Sequence, residues 1–517
     1  MVLHDVCKIL SFRLALSCYF ASLMKALFLL LSTFIFFSAK ADKYFEFNIT
    51  CQQAYKELLS LRIVKGQQLL TIEKKAHPDN LIPYFLDNYA DFFSLFLNED
   101  MKEFDKKMPL KEARLTAMKL GPDDSPWKLF TQSILQLQWA AIHIKFGEKW
   151  AAGWSFKAAY DFAKANTKAF PNFLPNKMVM GPLQIAAGTI PKGYQWVSNL
   201  MGVKGNIATG IQDLGAYISS KDATANIFKD EAIFYYCYLK FHIENKPDEV
   251  LAYIRTQHLD VVNNHLFTYM AANLSLNAQQ SAATKNYVQQ RNMSADYMPT
   301  AVWDFEIAYS KLYHLEPDAT VYFEKFLTAF KGNFYVKDSW LKLGWSYLLQ
   351  GNMPQYNRCM DMVKTKGNAD TDADKRALKE AKSGKVPNLF LLKARLLSDG
   401  GYTSEAFQMM IGKGTSDFPN EEDKLEFAYR AGRIYEELNK YDEAIQAYLG
   451  TIKIGKTRTE YFAARAALQT GMIYEKQKNN KPMAIAFYQQ VMAMEDHDYK
   501  NSLDQKAKAG IERCSSR

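Results

Sequence analysis

Apolar residues recur every three to four positions along most of this chain, the spacing that gathers them on one side of an α-helix. The clearest case is Trp340-Leu341-Lys342-Leu343-Gly344-Trp345-Ser346-Tyr347, where Trp340, Leu343, Gly344 and Tyr347 share one stripe. The glycine leaves room for a neighbouring helix, and the aromatic rings fill the space around it. Further upstream, residues 51–75 carry a helical stripe of Ala54, Leu58, Leu61, Val64/Lys65, Gln68 and Ile72, weakened at Gly66. It stops at Ala76-His77-Pro78-Asp79-Asn80, a cluster of helix breakers. Residues 81–97 follow as an aromatic-rich helix with Tyr84, Phe85, Tyr89, Phe92, Phe93 and Phe96, so helix, proline-bearing turn and helix form a repeat-like unit. Ser125-Pro126 opens a long buried helix over 127–146, with the proline near its first turn. Gly147-Glu148-Lys149 is a turn, and 150–170 is the partner helix, ended by Pro171.

The same pairing returns in the second half. Ala271, then Ala283 and Tyr287, form one degenerate pair, and Ala319 with Phe323 another. After Trp340–Tyr347, Tyr356 stands where a small residue is expected on the second helix. Ala394 and Leu397 lead to Ala406 and Met410; Gly432 and Tyr435 lead to Ala444 and Tyr448; Gly471 and Tyr474 lead to Ala484 and Tyr488, with one residue inserted in the last loop. Gly432 and Gly471 are 39 residues apart, and Ala394 and Gly432 are 38, longer than the roughly 34 residues of a standard two-helix repeat. Leu503 to Cys514 reads as a polar terminal cap, which stacked repeats require.

The middle differs. Between Met178 and Val203 the one charged residue is Lys192, and glycines stand at 181, 188, 193, 202, 205, 210 and 215. Pro191 would split the stretch into two apolar arms of about ten residues, each short of the roughly 20 needed to span a bilayer. A buried helical hairpin is the plainer expectation, and peripheral membrane contact through 178–203 the alternative. The glycines make no phosphate loop, because no G-K-[ST] and no strand accompany them. Together these patterns predict an all-α fold: a right-handed α-solenoid of helical hairpins with a Gly-rich apolar helical hairpin in the middle. Residues 42–170 would be N-terminal hairpins, 171–225 the insert, and 226–517 the repeats with their capping helix.

The first 41 residues change the picture of where the chain works. Met24-Lys25, the apolar run Ala26–Phe37 and Ser38-Ala39-Lys40-Ala41 have the anatomy of a secretory signal, with Asp42 as the first residue after cleavage and Met24 as an alternative start. The rival is an uncleaved anchor over 14–37, which would bury Lys25 at a cost. Export to a periplasm or outer envelope follows. The first 41 residues hold four Lys/Arg and one Asp, so losing them takes the formal charge from +9 to +6. Basic and acidic residues are interleaved, which gives a solvated surface and no nucleic-acid stripe. Cys51, Cys237, Cys359 and Cys514 remain after cleavage, far apart and with no C-x-x-C pair. Cys237 and Cys359 sit in apolar helical stretches and are expected as buried thiols.

Trp340–Tyr347 fits the W-x2-L-G-x2-Y signature of a tetratricopeptide repeat, and residues 425–494 resemble two such repeats. Four further runs extend the likeness: Phe170-Pro171-Asn172-Phe173 with Gly181; Thr189-Ile190-Pro191 with Gly202-Val203-Lys204-Gly205-Asn206; Tyr335-Val336-Lys337-Asp338; and 392–402. They resemble exported helical-repeat proteins of bacterial envelopes. More distantly they are similar to a eukaryotic tetratricopeptide family tied to inclusion-body clearance and to mitochondrial or lipid-droplet surfaces. The resemblance covers most of the chain after residue 41. It implies an all-helical solenoid with a central hairpin and no catalysis. The export signal sets this chain apart from the eukaryotic family.

Candidate chemistry is sparse. Asp370, Asp372 and Asp374 open like a calcium loop, but Lys375 replaces its glycine and Ala381 its closing glutamate, so a helix N-cap is expected instead. His258 and His265 would stand two turns apart on one helix, about 10 Å, too far to share an ion. The acid pairs Asp123/Asp124, Glu421/Glu422 and Glu436/Glu437 fall at helix starts or on polar faces, and no nucleophile or metalloprotease signature appears. No cofactor is expected. The better candidate is the non-packing face of each first helix, which lines the concave side of a solenoid. Tyr429, Arg433 and Glu436 share that phase, as do Arg465 and Glu475 in the next unit and Trp345 and Arg395 in the preceding ones. An arginine there could grip a carboxylate through paired hydrogen bonds. The chain is read as a non-enzymatic scaffold that binds a partner protein or peptide. An outer-surface glycan-binding protein is the alternative, and a helical hydrolase a more distant one.

Overall fold

Caps and tight turns set the helix boundaries. Asn48, Asp100, Asn264, Asn388 and Asn420 each accept a hydrogen bond from a first-turn N–H of the helix that follows. Asn245, Gln279, Leu315, Asn439 and Asn479 take a left-handed backbone just past the end of a helix, which turns the chain back within a few residues. The computed structural model describes residues 42–189 and 202–515. Among them all regular structure is helical, apart from one parallel bridge between Tyr44 and Asn80. The expected signal and its cleavage site, 1–41, lie outside the described residues.

The N-terminal hairpins are α1 (Ile49–Leu59) with α2 (Ile63–Ala76), α3 (Ile82–Asn98) with α4 (Met101–Lys119), and α5 (Pro126–Lys145) with α6 (Lys149–Ala169). Next, α7 (Pro175–Gly188) packs on α8 (Ile207–Ser219), and the short α9 (Ala223–Ile227) leads onward. Four more hairpins follow: α10 (Lys229–His242) and α11 (Pro247–Thr256), α12 (His265–Asn277) and α13 (Ser281–Gln290), α14 (Val302–Tyr313) and α15 (Ala319–Ala329), α16 (Val336–Leu349) and α17 (Met353–Thr365). A single helix, α18 (Asp372–Ser383), interrupts the series. Then come α19 (Leu389–Asp399) and α20 (Thr403–Met410), α21 (Glu421–Glu437) and α22 (Tyr441–Gly455), α23 (Phe462–Lys476) and α24 (Lys481–Ala493), closed by α25 (Lys500–Ser515). The fold is an all-α solenoid of helical hairpins.

The glycine spacing works as the sequence implies. A Cβ on Gly344 would meet Met360 at 2.6 Å, one on Gly432 would meet Tyr448 at 2.4 Å, and one on Gly471 would meet Tyr488 at 2.7 Å. Each glycine is the point where the second helix presses into the first. Ala319, Ala406, Ala444 and Ala484 are fully buried opposite.

Several expectations need correction. The 51–75 stripe is two helices, α1 and α2, broken at Leu61, whose φ is 61°. Gly66 weakens no single helix; it lets Leu58 of α1 approach, since a Cβ there would lie 2.6 Å from that side chain. The first hairpin is therefore α1/α2, and the helix at 82–98 packs on both α2 and α4. Helix α4 has no counterpart in the sequence reading, because exposed lysines and Pro109 mask its buried Phe104, Leu115 and Met118. In α13 the packed residues are Ser281, Thr284 and Val288, one position off the expected Ala283 and Tyr287. Thr284 fits because its hydroxyl donates to the Ala272 carbonyl at 2.9 Å.

In the middle segment α7 supplies one apolar arm. The Pro191 turn and most of the second arm lie outside the described residues. The helix packed on α7 is α8, and its glycines mark the crossing: a Cβ on Gly181 would lie 2.6 Å from Leu214. No helix among the described residues is long and apolar enough to cross a membrane. One buried apolar cluster runs from Phe47 to Leu274, so the N-terminal hairpins, the insert and the first later hairpins share a core. Distant turns of the stack also touch. The Met298 N–H donates to Leu61 O at 2.8 Å, and Glu99 accepts from the Asn333 and Phe334 N–H groups at 3.2 and 3.3 Å. Lys379 pairs with Asp498 at 2.5 Å. Cys51, Cys237, Cys359 and Cys514 are buried free thiols. Burial pushes the first three up to about 12.

Candidate docking face

The middle turns of α16, α19 and α21 bring one polar and aromatic cluster together. Trp345 forms its floor, 1% exposed, and its Nε1 donates to Glu380 of α18 at 2.8 Å. Lys342 lies one turn earlier with its ammonium 3.6 Å from the Trp345 ring centroid, and the Arg395 guanidinium lies 4.8 Å from the same ring. Such stacking holds a cation in place while leaving its N–H groups directed elsewhere. Arg395 is 27% exposed and has one ion pair among the described residues, its Nε 3.5 Å from Asp399. Burial opposes its charge, but Asp399, Tyr461, Glu380 and Glu426 together outweigh that and hold it protonated.

Arg430 stands beside this group. Its Nε and Nη2 donate to Glu426 at 3.1 and 3.0 Å, and its guanidinium lies 5.4 Å from the Tyr429 ring and 5.9 Å from that of Phe462. Tyr461 packs against Tyr429, Phe462 and Tyr499 with ring centroids 6.1, 4.5 and 5.4 Å away. Lys342 feels burial most strongly, which lowers its pKa against the pull of Asp338.

The seven residues singled out from sequence do not form one site. Trp345 and Arg395 do meet. Trp345 and Tyr429, however, are 1% and 3% exposed, so they support the face and offer nothing to a partner. Their rings are large enough to fill the gap between adjacent hairpins, which the stripe rule alone does not reveal. Glu436 and Glu475 are already occupied. Glu436 accepts from the Tyr448 hydroxyl at 2.6 Å and from Gln469 at 3.0 Å. Glu475 accepts from the Tyr488 hydroxyl at 2.5 Å and from Arg513 at 2.7 and 2.9 Å. They close hairpins. Arg433 donates to Glu437 at 2.9 Å and lies away from the Arg395 cluster. Arg465 is half-buried and makes no side-chain hydrogen bond or ion pair among the described residues; Lys506 beside it has its pKa lowered by burial and then by the Arg465 charge.

Sequence reasoning missed Lys342, Glu380, Arg430 and Tyr461. The phase carried over from Arg395 points to Arg433, whereas Arg430, one turn earlier, is the arginine that stands beside Arg395. The stripe drifts towards the helix starts in successive units, so Tyr461 and Phe462, an aromatic pair opening α23, were the available signal.

The other candidates resolve plainly. Thr371 caps α18, and the fully buried Asp374 accepts from the Asp338 and Tyr335 N–H groups at 3.0 and 2.9 Å, tying two helix starts together. His258 and His265 do not share a helix, since α11 ends at Thr256 and α12 begins at His265. His265 stacks on Tyr297 at 3.7 Å and its Nε2 pairs with the Asn292 carbonyl at 2.9 Å. Burial, then Arg291 and Arg62, bring its pKa down to about 4. Among the described residues no group of three or more His, Cys, Asp or Glu could hold a metal ion.

Residues 426–453 match the tetratricopeptide repeat family. No curated protein matches the chain. Among solved structures, a chain of the crystal structure of the APC/C hetero-tetramer Cut9-Hcn1 aligns over 88% of this chain and 87% of that chain at 12% identity, with a TM-score of 0.24, a likeness too slight to argue from. Over α21 and α22 the chain is thus similar to a tetratricopeptide repeat, and the neighbouring hairpins reuse the same contact of glycine or alanine with a ring.

Proposed function

We propose that this protein is a non-enzymatic scaffold of the cell envelope that binds a carboxylate-bearing segment of a partner protein on the inner face of its repeats. The observation that carries the reading is Arg395. It is charged, stacked on Trp345, partly open to solvent, and only weakly engaged by Asp399 at 3.5 Å. A guanidinium fixed by stacking keeps its outer N–H pair for a planar carboxylate. Arg430 and Tyr461 flank it and would set which side chains can lie alongside. Repeats of the tetratricopeptide type commonly serve as protein-binding scaffolds, and one such repeat adjoins this face. The envelope location rests on the residues before Asp42, and peripheral membrane contact through 178–203 is a separate part of the proposal.

The test uses the full chain and its Arg395→Ala variant. Partners are crosslinked in the native cell, captured and identified, beside a glycan array and fractionation of cell compartments. A protein that is captured by the parent and at least tenfold less by the variant, with an unchanged melting curve, supports the reading. Glycan binding with no protein captured would replace it with the glycan-binding alternative, and recovery only from the cytosol would remove the envelope location.

A further inference from the structure

The hairpin α19/α20 is built like the next one but stops short. Ala406 and Ala444 are both fully buried at the same step, and Met410 occupies the place of Tyr448. Past Tyr448, α22 continues to Gly455, where Ile452 is 6% exposed and a Cβ on Gly455 would touch Ala463 at 3.0 Å. Past Met410 there is no helix. Gly412, with φ 74°, and a 3-10 turn over Thr415–Asp417 carry the chain away instead. The two turns that would cover the following helix are missing.

What remains is a groove of about 390 Å³ between α20 and α21, with apolar side chains at its floor and polar atoms along its edge. Its floor is Met410, Phe427 and Ile434, at 8%, 6% and 1% exposure. Phe407 and Tyr435 form one wall, their rings 5.8 Å apart, and Ile411, 58% exposed, forms the rim. The size suits one or two large aliphatic or aromatic side chains. Two exposed lysines border it. Lys413 lines the groove, and the Lys440 ammonium lies 4.7 Å from the Phe407 ring. Neither makes an ion pair among the described residues. The nearby acids are committed, Asp417 to the Gly414 N–H at 2.7 Å and Glu437 to Arg433 at 2.9 Å.

We infer that this groove is a second docking site, distinct from the inner face, for a short amphipathic segment of a partner protein that presents large apolar side chains flanked by carboxylates. The apolar anchors would supply the packing that Ile452 supplies one hairpin later. The carboxylates would meet Lys413 and Lys440, which fix the register and reject basic segments.

The probe is a fluorescein-labelled amphipathic peptide of Leu, Ala and Glu with Leu at i, i+3 and i+4, beside its counterpart with Lys in place of Glu. Binding to the full chain is read by fluorescence anisotropy at two salt concentrations. The acidic peptide is expected to bind at least tenfold more tightly than the basic one, and more weakly at higher salt. Ile411→Asp should weaken it at least tenfold. The double variant Lys413→Glu/Lys440→Glu should invert the preference. These three side chains are exposed, so the melting curves should match the parent's. Failure of both peptides to bind, equal binding of the two, or acidic-peptide binding untouched by both variants would overturn the inference. So would concentration-dependent self-association abolished by Ile411→Asp, since the occupant would then be a second copy. Loss of acidic-peptide binding in Arg395→Ala but not in Ile411→Asp would place the peptide on the inner face and overturn it as well.

Discussion

The hairpins near the C-terminus and the N-terminal core both bury tyrosines against a glutamate, but they do so on different scales. In α21/α22 the glycine at 432 admits Tyr448, whose hydroxyl reaches Glu436, twelve residues away in sequence. In α23/α24 Gly471 admits Tyr488, whose hydroxyl reaches Glu475, thirteen away. Each clip closes its own hairpin and, among the described residues, reaches no further than the next helix, Glu436 through Gln469 of α23 and Glu475 through Arg513 of α25. In the N-terminal core a single buried carboxylate, Glu231, accepts from Tyr55 at 2.5 Å, Tyr89 at 2.8 Å and Tyr235 at 2.8 Å, with Tyr55 and Tyr89 lying 176 and 142 residues away. That knot joins α1, α3 and α10. Local clips make a stack that can lose one member at a time, whereas the knot makes three hairpins stand or fall together.

Removing the knot is the largest test. Glu231→Ala strands three buried phenols and is expected to cost about 3–5 kcal/mol. Hydrogen exchange should then show α1, α3 and α10 opening as one unit. Glu436→Ala is expected to cost about 1–2 kcal/mol, with exchange confined to α21–α23. Equal losses with the same spread would erase the distinction.

Acidity separates two further buried groups, one on α12 and one on α14. His265 is 2% exposed and neutral in the fold, with its pKa lowered to about 4, while an unfolded histidine titrates near 6.5. Stability therefore falls as pH drops from about 6.5 towards 4, by up to about 3 kcal/mol. Glu306 behaves oppositely. It is fully buried, its Oε2 has no partner, Asn273 donates to Oε1 at 2.8 Å, and burial lifts its pKa to about 7. Its stabilising protonated state is complete below about 4.5 and is lost as pH rises through 7, again by about 3 kcal/mol. The two offset each other between these limits. Glu306→Gln should remove the loss that develops between about pH 4.5 and 7 and leave the fall on the acid side, from His265, no longer offset; a curve unchanged from the parent would assign the titration to other groups.

Smaller effects test the repeat contacts. Gly432→Val forces a side chain into Tyr448 and is expected to cost about 1–3 kcal/mol. Gly450, on α22 with nothing within 4 Å of a Cβ, makes the contrast: Gly450→Ala should raise stability by about 0.5 kcal/mol. Arg433→Ala should lower it by about 1 kcal/mol without touching partner capture, because Arg433 is engaged with Glu437. Urea melts of the three variants check all of these.

The difference between the two regions also decides what was legible in the sequence. The clips obey spacings of three, four and twelve, so α14 to α24 could be paired almost throughout from Gly, Ala and Tyr positions. The knot leaves no spacing to find, since nothing near Tyr55 or Tyr89 points to Glu231. The break at Leu61 was hidden because a left-handed leucine carries no turn signature. Of the docking face, Trp345 and Arg395 were visible through their shared phase. Arg430, Glu380 and Lys342 were not, because drift between hairpins and the unpaired α18 decide which side chains meet there.

The inner face is tested most directly by a photo-crosslinking amino acid placed at position 395 and, as a control, at the exposed Gln446 of α22, in the full chain in its native cell. Docking of a partner protein between the repeats should give a discrete protein adduct from 395 and none from 446. Adducts of equal yield from both positions, or only sugar or lipid from 395, would contradict it.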